Sequence, residues 1–157
     1  MAAGKGITEF IRFGHVKIPS TVSFYRSNLS YAFVNKSPIL PGHVLVSPLR
    51  PVERFSGLTP DEVSDLFLTV QKVSNIIEKM YNATALTISM QDGEDAGQSI
   101  KHVHVHILPR KKGDFQHNDD IYKEIETHDK DKERKDRSLE EMENETILIR
   151  EFITLNK

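Results

Sequence analysis

Cysteine is absent from the 157-residue chain, which removes disulfide frameworks, thiolate metal sites, cysteine nucleophiles and C-terminal prenylation together. An intracellular setting is favoured. Nor is there an excess of positive charge: 21 Lys and Arg face 23 Asp and Glu, for a net charge of −2. Nothing therefore argues for counterion-driven binding to long nucleic acid, although a local site for a small anion stays open. No stretch approaches the roughly 18 apolar residues of a membrane span. Met1 to Gly6 carries one Lys and no apolar leader core, and Gly4 does not stand at the myristoylation position. The expectation is a soluble cytoplasmic or nuclear protein.

What is present is an ordinary globular composition, 38% hydrophobic and 28% charged with 8 Gly and 7 Pro, in a length that fits one domain spanning 1–157. Three early stretches, Phe10–Val16, Val22–Arg26 and Tyr31–Val34, are rich in aromatic and β-branched residues and predict strands. Pro41-Gly42 marks a turn before a fourth strand, His43–Ser47. Thr59 and Glu62 form a capping box with Pro60 between them, and Val63, Leu66, Phe67, Val70, Val73, Ile77 and Met80 follow at helical spacing. This predicts a helix of roughly twenty residues with one apolar stripe. Ala85–Met90 and His102–Leu108 read as the last two strands. After Pro109 the chain is polar, and Asp129 to Arg137 are all charged, so a solvated, mobile loop is expected over about 126–138. Ser138 and Glu141 suggest a second capping box that opens a C-terminal helix. The fold class is α+β with a mostly antiparallel sheet.

The sharpest feature is Lys101-His102-Val103-His104-Val105-His106-Ile107-Leu108, which places three of the seven histidines within five residues. On a strand, side chains alternate, so the three imidazoles would share one face while the aliphatic residues anchor the other. Adjacent members of such a row stand roughly 6.6 Å apart and the outer two roughly 13 Å apart. A single ion with bonds near 2 Å can take two of them, not three, and no further ligand motif stands nearby, which argues against a metal cage. Imidazole as a nucleophile and phosphate ligand fits better. With an ordinary pKa of about 6.5, a neutral ring nitrogen is available near pH 7, and a phosphohistidine is labile to water. Only one ring can face phosphorus in line. The middle one, His104, has a histidine on each side to contribute hydrogen bonds or charge. The loop Gln91-Asp92-Gly93-Glu94-Asp95-Ala96-Gly97-Gln98-Ser99 leads into this segment, and its backbone N–H groups with the Gln98 and Ser99 side chains could donate to phosphate oxygens. His43, after the Pro-Gly turn, and Asn35, at the end of the third strand, are further polar candidates.

By these motifs the chain resembles the histidine triad superfamily, whose signature alternates histidine with apolar residues as in His102 to Leu108. It is similar to the fragile histidine triad branch in three more segments: Pro41 to Phe55, Ser89-Met90-Gln91-Asp92-Gly93, and Asn118-Asp119-Asp120-Ile121-Tyr122. The similarity runs from about Ile11 to Tyr122. What the resemblance implies is a homodimeric histidine triad fold that hydrolyses dinucleoside polyphosphates, cleaving diadenosine triphosphate to AMP and ADP through a covalent nucleotidyl-histidine. Carried over, His104 is the nucleophile, His106 binds α-phosphate oxygens, His102 orients His104, and His43 stands on the phosphate side. Gln91, Asn35 and Gly97 through Ile100, including Gln98 and Ser99, resemble substrate-binding positions. His15 does so too, although the chain there is one residue shorter than the family pattern. Mg or Mn would travel with the polyphosphate. Tyr122 resembles a phosphorylated tyrosine linked to signalling partners. Two other readings compete: a binding module in which the nucleotide complex is itself the signal, and an adenosine phosphoramidase that would use the same histidines on a P–N bond.

Overall fold

A computed structural model describes residues 9–128 and 134–157. The chain opens as a hairpin, β1 (Phe10–Phe13) and β2 (Val16–Pro19), which forms a separate two-stranded sheet. The single strand expected over Phe10–Val16 is therefore broken. Gly14 adopts φ +57°, a conformation that costs glycine nothing, and reverses the chain so that Phe13 pairs with Val16. A short 3-10 turn takes up Val22 before β3 (Ser23–Arg26), β4 (Ser30–Val34) and β5 (Val44–Pro48).

Helix α1 (Pro60–Met80) begins at the expected capping box. The Glu62 N–H donates to Thr59 Oγ1 at 3.2 Å, and the Thr59 N–H donates to Glu62 Oε1 at 3.0 Å. Its stripe Leu66, Val70, Val73 and Ile77 is buried in the main core with Tyr31, Val44, Val46, Val105 and Ile107. Strands β6 (Ala85–Met90) and β7 (Val105–Arg110) complete an antiparallel sheet in the order β3-β4-β5-β7-β6. β4, β5 and β7 are buried along their whole length, whereas β6, at the edge, is partly exposed. Helix α3 (Leu139–Leu155) starts at Ser138, whose hydroxyl accepts from the Glu141 N–H, and packs against β3, β4 and α1.

Two expectations are corrected. The histidine strand does not begin at His102. The Val103 N–H goes to Val52 O at 2.7 Å rather than into the sheet, so ladder pairing starts at Val105. The strand instead continues through Pro109, because β5 pairs β7 only as far as Val44 opposite Ile107 and the missing N–H breaks no bond there. Beyond it, the polar stretch contains a helix not expected from sequence, α2 (Asp120–Thr127). Ile121 and Ile125, one turn apart, close with Leu108 on a small second core beside Phe115. The loop expected over 126–138 is corrected at its N-terminal end. Residues 126–127 are helical and 134–138 are held by side-chain contacts; the intervening 129–133 lie outside the described residues.

Candidate active site

The irregular approach to β7 decides what each histidine does. His102 is buried, and both of its ring nitrogens are engaged by main chain. Nδ1 accepts from the Gly14 N–H at 2.9 Å, so the proton sits on Nε2, which donates to Pro48 O at 2.8 Å. The ring thus ties the hairpin turn to the end of β5 and does not line the cavity described below. Its pKa is lowered chiefly by burial, against the opposing effect of the Pro48 bond.

His104 Nδ1 lies 2.7 Å from the main-chain oxygen of His102. A carbonyl only accepts, so Nδ1 carries the proton and Nε2 carries the lone pair. The edge of Phe13 packs against this ring, with centroids 5.1 Å apart and planes 80° apart.

A second chain of polarity sets His106. The Ile39 N–H donates to His43 Nδ1 at 3.1 Å, which places the His43 proton on Nε2 and directs it to His106 Nδ1 at 2.9 Å. His106 is therefore protonated on Nε2, a donor. Complete burial holds the His43 pKa well below its usual value, and the neighbouring His106, His128, Arg134 and Arg137 act in the same direction. Asn35, also buried, brings Nδ2 to 3.4 Å from His43 Nε2 while its Oδ1 accepts from the Ser37 N–H at 2.8 Å.

His104, His106 and Asn35 line a cavity of about 370 Å³ together with Phe13, Phe33 and Leu45. Lys17, Lys36 and Arg137 border the same space. Apolar walls with a few convergent polar groups and a cationic border suit a nucleotide, whose base is flat and apolar and whose phosphates are anionic. The cavity also contains His128, which sequence reasoning passed over. Its ring stands 5.3 Å from His43 and 6.0 Å from His106, and Nε2 donates to Ser37 O at 2.5 Å. Nothing in Glu126-Thr127-His128 marks it, since only the packing of α2 brings it inward.

The loop before the histidines is only partly part of this arrangement. Ile100 lines the cavity, and Ser99 precedes it. Gln91 packs over Gly97, which has φ +96°; a Cβ there would stand 2.5 Å from Gln91 Nε2 and push the amide aside. The Gln98 side chain, expected as a phosphate donor, is engaged within the loop. Its Oε1 accepts from the Gly93 N–H at 2.7 Å and its Nε2 donates to Glu53 O at 2.8 Å, so the amide braces the loop itself. His15 is likewise not brought to the cavity; the reversal at Gly14 leaves it exposed in the β1–β2 turn. Tyr122 is 59% exposed on α2. Among the described residues no three His, Asp or Glu side chains are gathered as a metal site.

Residues 16–113 match the HIT domain. The chain belongs to the HIT domain family. A bifunctional bis(5'-adenosyl)-triphosphatase/adenylylsulfatase of Arabidopsis thaliana is 52% identical to it over 146 residues, covering 88% of this chain and 81% of the relative. A bis(5'-adenosyl)-triphosphatase of Dictyostelium discoideum is 48% identical over 145 residues, covering 92% and 94%. Among solved structures, the diadenosine triphosphate hydrolase of Plasmodium falciparum, in complex with cyclomarin A, superimposes with a TM-score of 0.77 at 33% identity, covering 96% of this chain and 88% of that one. The α+β architecture and the antiparallel sheet are thus those of a HIT domain.

Proposed function

We propose that the protein hydrolyses dinucleoside polyphosphates, with diadenosine triphosphate as substrate and AMP and ADP as products. The observation that carries this reading is the pair of opposed tautomers: His104 presents a lone pair on Nε2, and His106, in the same cavity, presents a proton on Nε2. A nucleophile next to a donor is what attack at an anionic phosphorus requires. His104 Nε2 attacks the α-phosphorus, a P–N bond forms, and the P–O bond to ADP breaks with its electron pair leaving on ADP. The proton stays on Nδ1, and the His102 carbonyl that accepts its hydrogen bond stabilises the imidazolium character of the nucleotidyl-histidine. His106 Nε2–H donates to a non-bridging oxygen as charge gathers there. Water then displaces the imidazole and AMP leaves. Positioning and charge stabilisation supply most of the rate. Mg or Mn enters with the substrate as the counter-ion of its phosphates.

The partner is a second copy of the chain. β6 closes one end of the sheet with an unpaired edge on which Ile88 is 48% exposed, and α1 leaves Phe67 and Leu68 exposed. Edge-to-edge pairing would satisfy the strand and cover these side chains.

Purified protein incubated with diadenosine triphosphate and Mg should give AMP and ADP by chromatography, and His104→Asn should lower turnover by more than about 10³-fold while retaining nucleotide binding. Near wild-type hydrolysis by that variant would overturn the covalent step. Saturable binding without products from the wild type would move the protein to the class of nucleotide-responsive binding modules.

A further inference from the structure

Asn35, Lys36 and Ser37 follow β4 directly, and the Asn35 amide reaches His43 of the His43–His106 pair. The main chain of this segment is gripped by the residues that flank the α2–α3 connection. The Arg137 N–H donates to Lys36 O at 2.8 Å. The Arg137 guanidinium donates to Asn35 O from Nη2 at 2.5 Å and from Nε at 3.2 Å. His128 holds Ser37 O, and Asp136 bonds the Ser37 hydroxyl and pairs with Lys36 at 3.3 Å.

Arg137 is fixed in turn from behind. Its Nη2 pairs with Glu145 Oε1 on α3 at 3.0 Å, and Glu145 Oε2 accepts from the Tyr81 hydroxyl at 2.6 Å. The two charged side chains are only 17% and 15% exposed. A largely buried ion pair gains little net stability, because desolvation offsets most of the attraction. What it does well is hold a direction, since a planar guanidinium with two acceptors on different sides cannot rotate.

We propose that Arg137 is a positioning residue for the nucleotide site. It acts through the main chain of Asn35: with Asn35 O held by the guanidinium and Oδ1 held by the Ser37 N–H, Nδ2 is turned toward His43 and the cavity. The relay Tyr81–Glu145–Arg137–Asn35 thereby couples the α1 end and α3 to substrate binding. This inference rests on the nucleotide-hydrolase reading above. The hydrogen bonds that set the tautomers of His104 and His106 involve other residues, so chemistry after binding is largely independent of Arg137.

The test compares wild type, Arg137→Ala, Arg137→Lys and Glu145→Gln for kcat and KM with diadenosine triphosphate, for AMP affinity by calorimetry, and for thermal midpoint. Arg137→Ala should raise KM and weaken AMP binding roughly 10- to 100-fold, the worth of one charge-assisted hydrogen bond, with kcat within about threefold. Arg137→Lys should recover part of the affinity, because an ammonium keeps the charge but lacks the Nε and Nη2 fork that grips Asn35 O. Glu145→Gln should move KM in the same direction by less. A lowered thermal midpoint with unchanged KM and AMP affinity would make Arg137 merely structural and overturn the proposal, as would a loss confined to kcat. If the wild type turns over no dinucleotide but binds AMP, the hydrolase reading fails and Arg137 is judged on AMP affinity alone; if it binds no AMP, both fail.

Discussion

His104 Nδ1 donates to the main-chain oxygen of His102 across 2.7 Å, so one histidine sets the tautomer of the next through its backbone rather than through its ring. The His102 ring is meanwhile a tie between Gly14 and Pro48. His102→Ala retains the carbonyl and strands the half-buried Gly14 N–H and the buried Pro48 carbonyl. We expect it to lose about 2–4 kcal/mol of stability in urea unfolding, yet to turn over substrate well above His104→Asn when assayed below its unfolding temperature. Equal inactivity of the two folded variants would give the His102 ring a direct chemical part.

Gly97 offers a probe of Gln91 that leaves the histidines untouched. An alanine there meets Gln91 Nε2 at 2.5 Å and must hold φ +96°. Gly97→Ala should cost about 1–2 kcal/mol from the backbone alone and displace the Gln91 amide, so that kcat/KM falls by more than the stability loss accounts for in folded protein. Unchanged kinetics would remove Gln91 from the substrate contacts.

The buried histidines set an acid limb of stability. Burial is the first cause of the lowered pKa at both His43 and His102, so each binds its proton less readily folded than unfolded. The unfolded chain takes up protons as pH drops through about 6.5 while these rings stay neutral, and stability falls with it. Thermal midpoints should be highest above about pH 7 and decline toward pH 5. A flat profile over that interval would contradict the buried, neutral assignment.

At the start of α1, Arg50 donates to both oxygens of Glu62, at 2.6 and 3.1 Å, and this bond is the main reason that the Glu62 pKa drops from the usual 4.5 to about 2. A depressed carboxylate stabilises the fold above its unfolded pKa and loses that contribution as pH falls toward the folded one. Glu62→Gln should therefore lower stability at neutral pH and flatten the further loss between about pH 4.5 and 2, visible in paired denaturation curves. Parallel curves for the two proteins would show that the Arg50 contact contributes nothing to folding.

The amino-acid sequence alone sufficed for the α+β class, the capping box and apolar stripe of α1, the strands at the sheet centre, and the histidine segment that lines the cavity. These are legible because they are local: a cap needs Thr59 and Glu62 three residues apart, and a buried stripe needs only its period. The tertiary structure alone decided the rest. Alternation along a strand predicted three imidazoles on one face, but residues 102–104 stand outside the sheet, and partners far away in sequence, Gly14 and Pro48 for His102, Ile39 by way of His43 for His106, divided them into a tie, a ring with its lone pair on Nε2 and a donor. His128 and Arg137 carry no sequence signal, since each is an ordinary polar residue beside a charged run until α2 and α3 dock it onto residues 35–37. A protonation state or a held carbonyl depends on which groups meet, and the fold decides those meetings, across 102 residues in the case of Arg137 and Asn35.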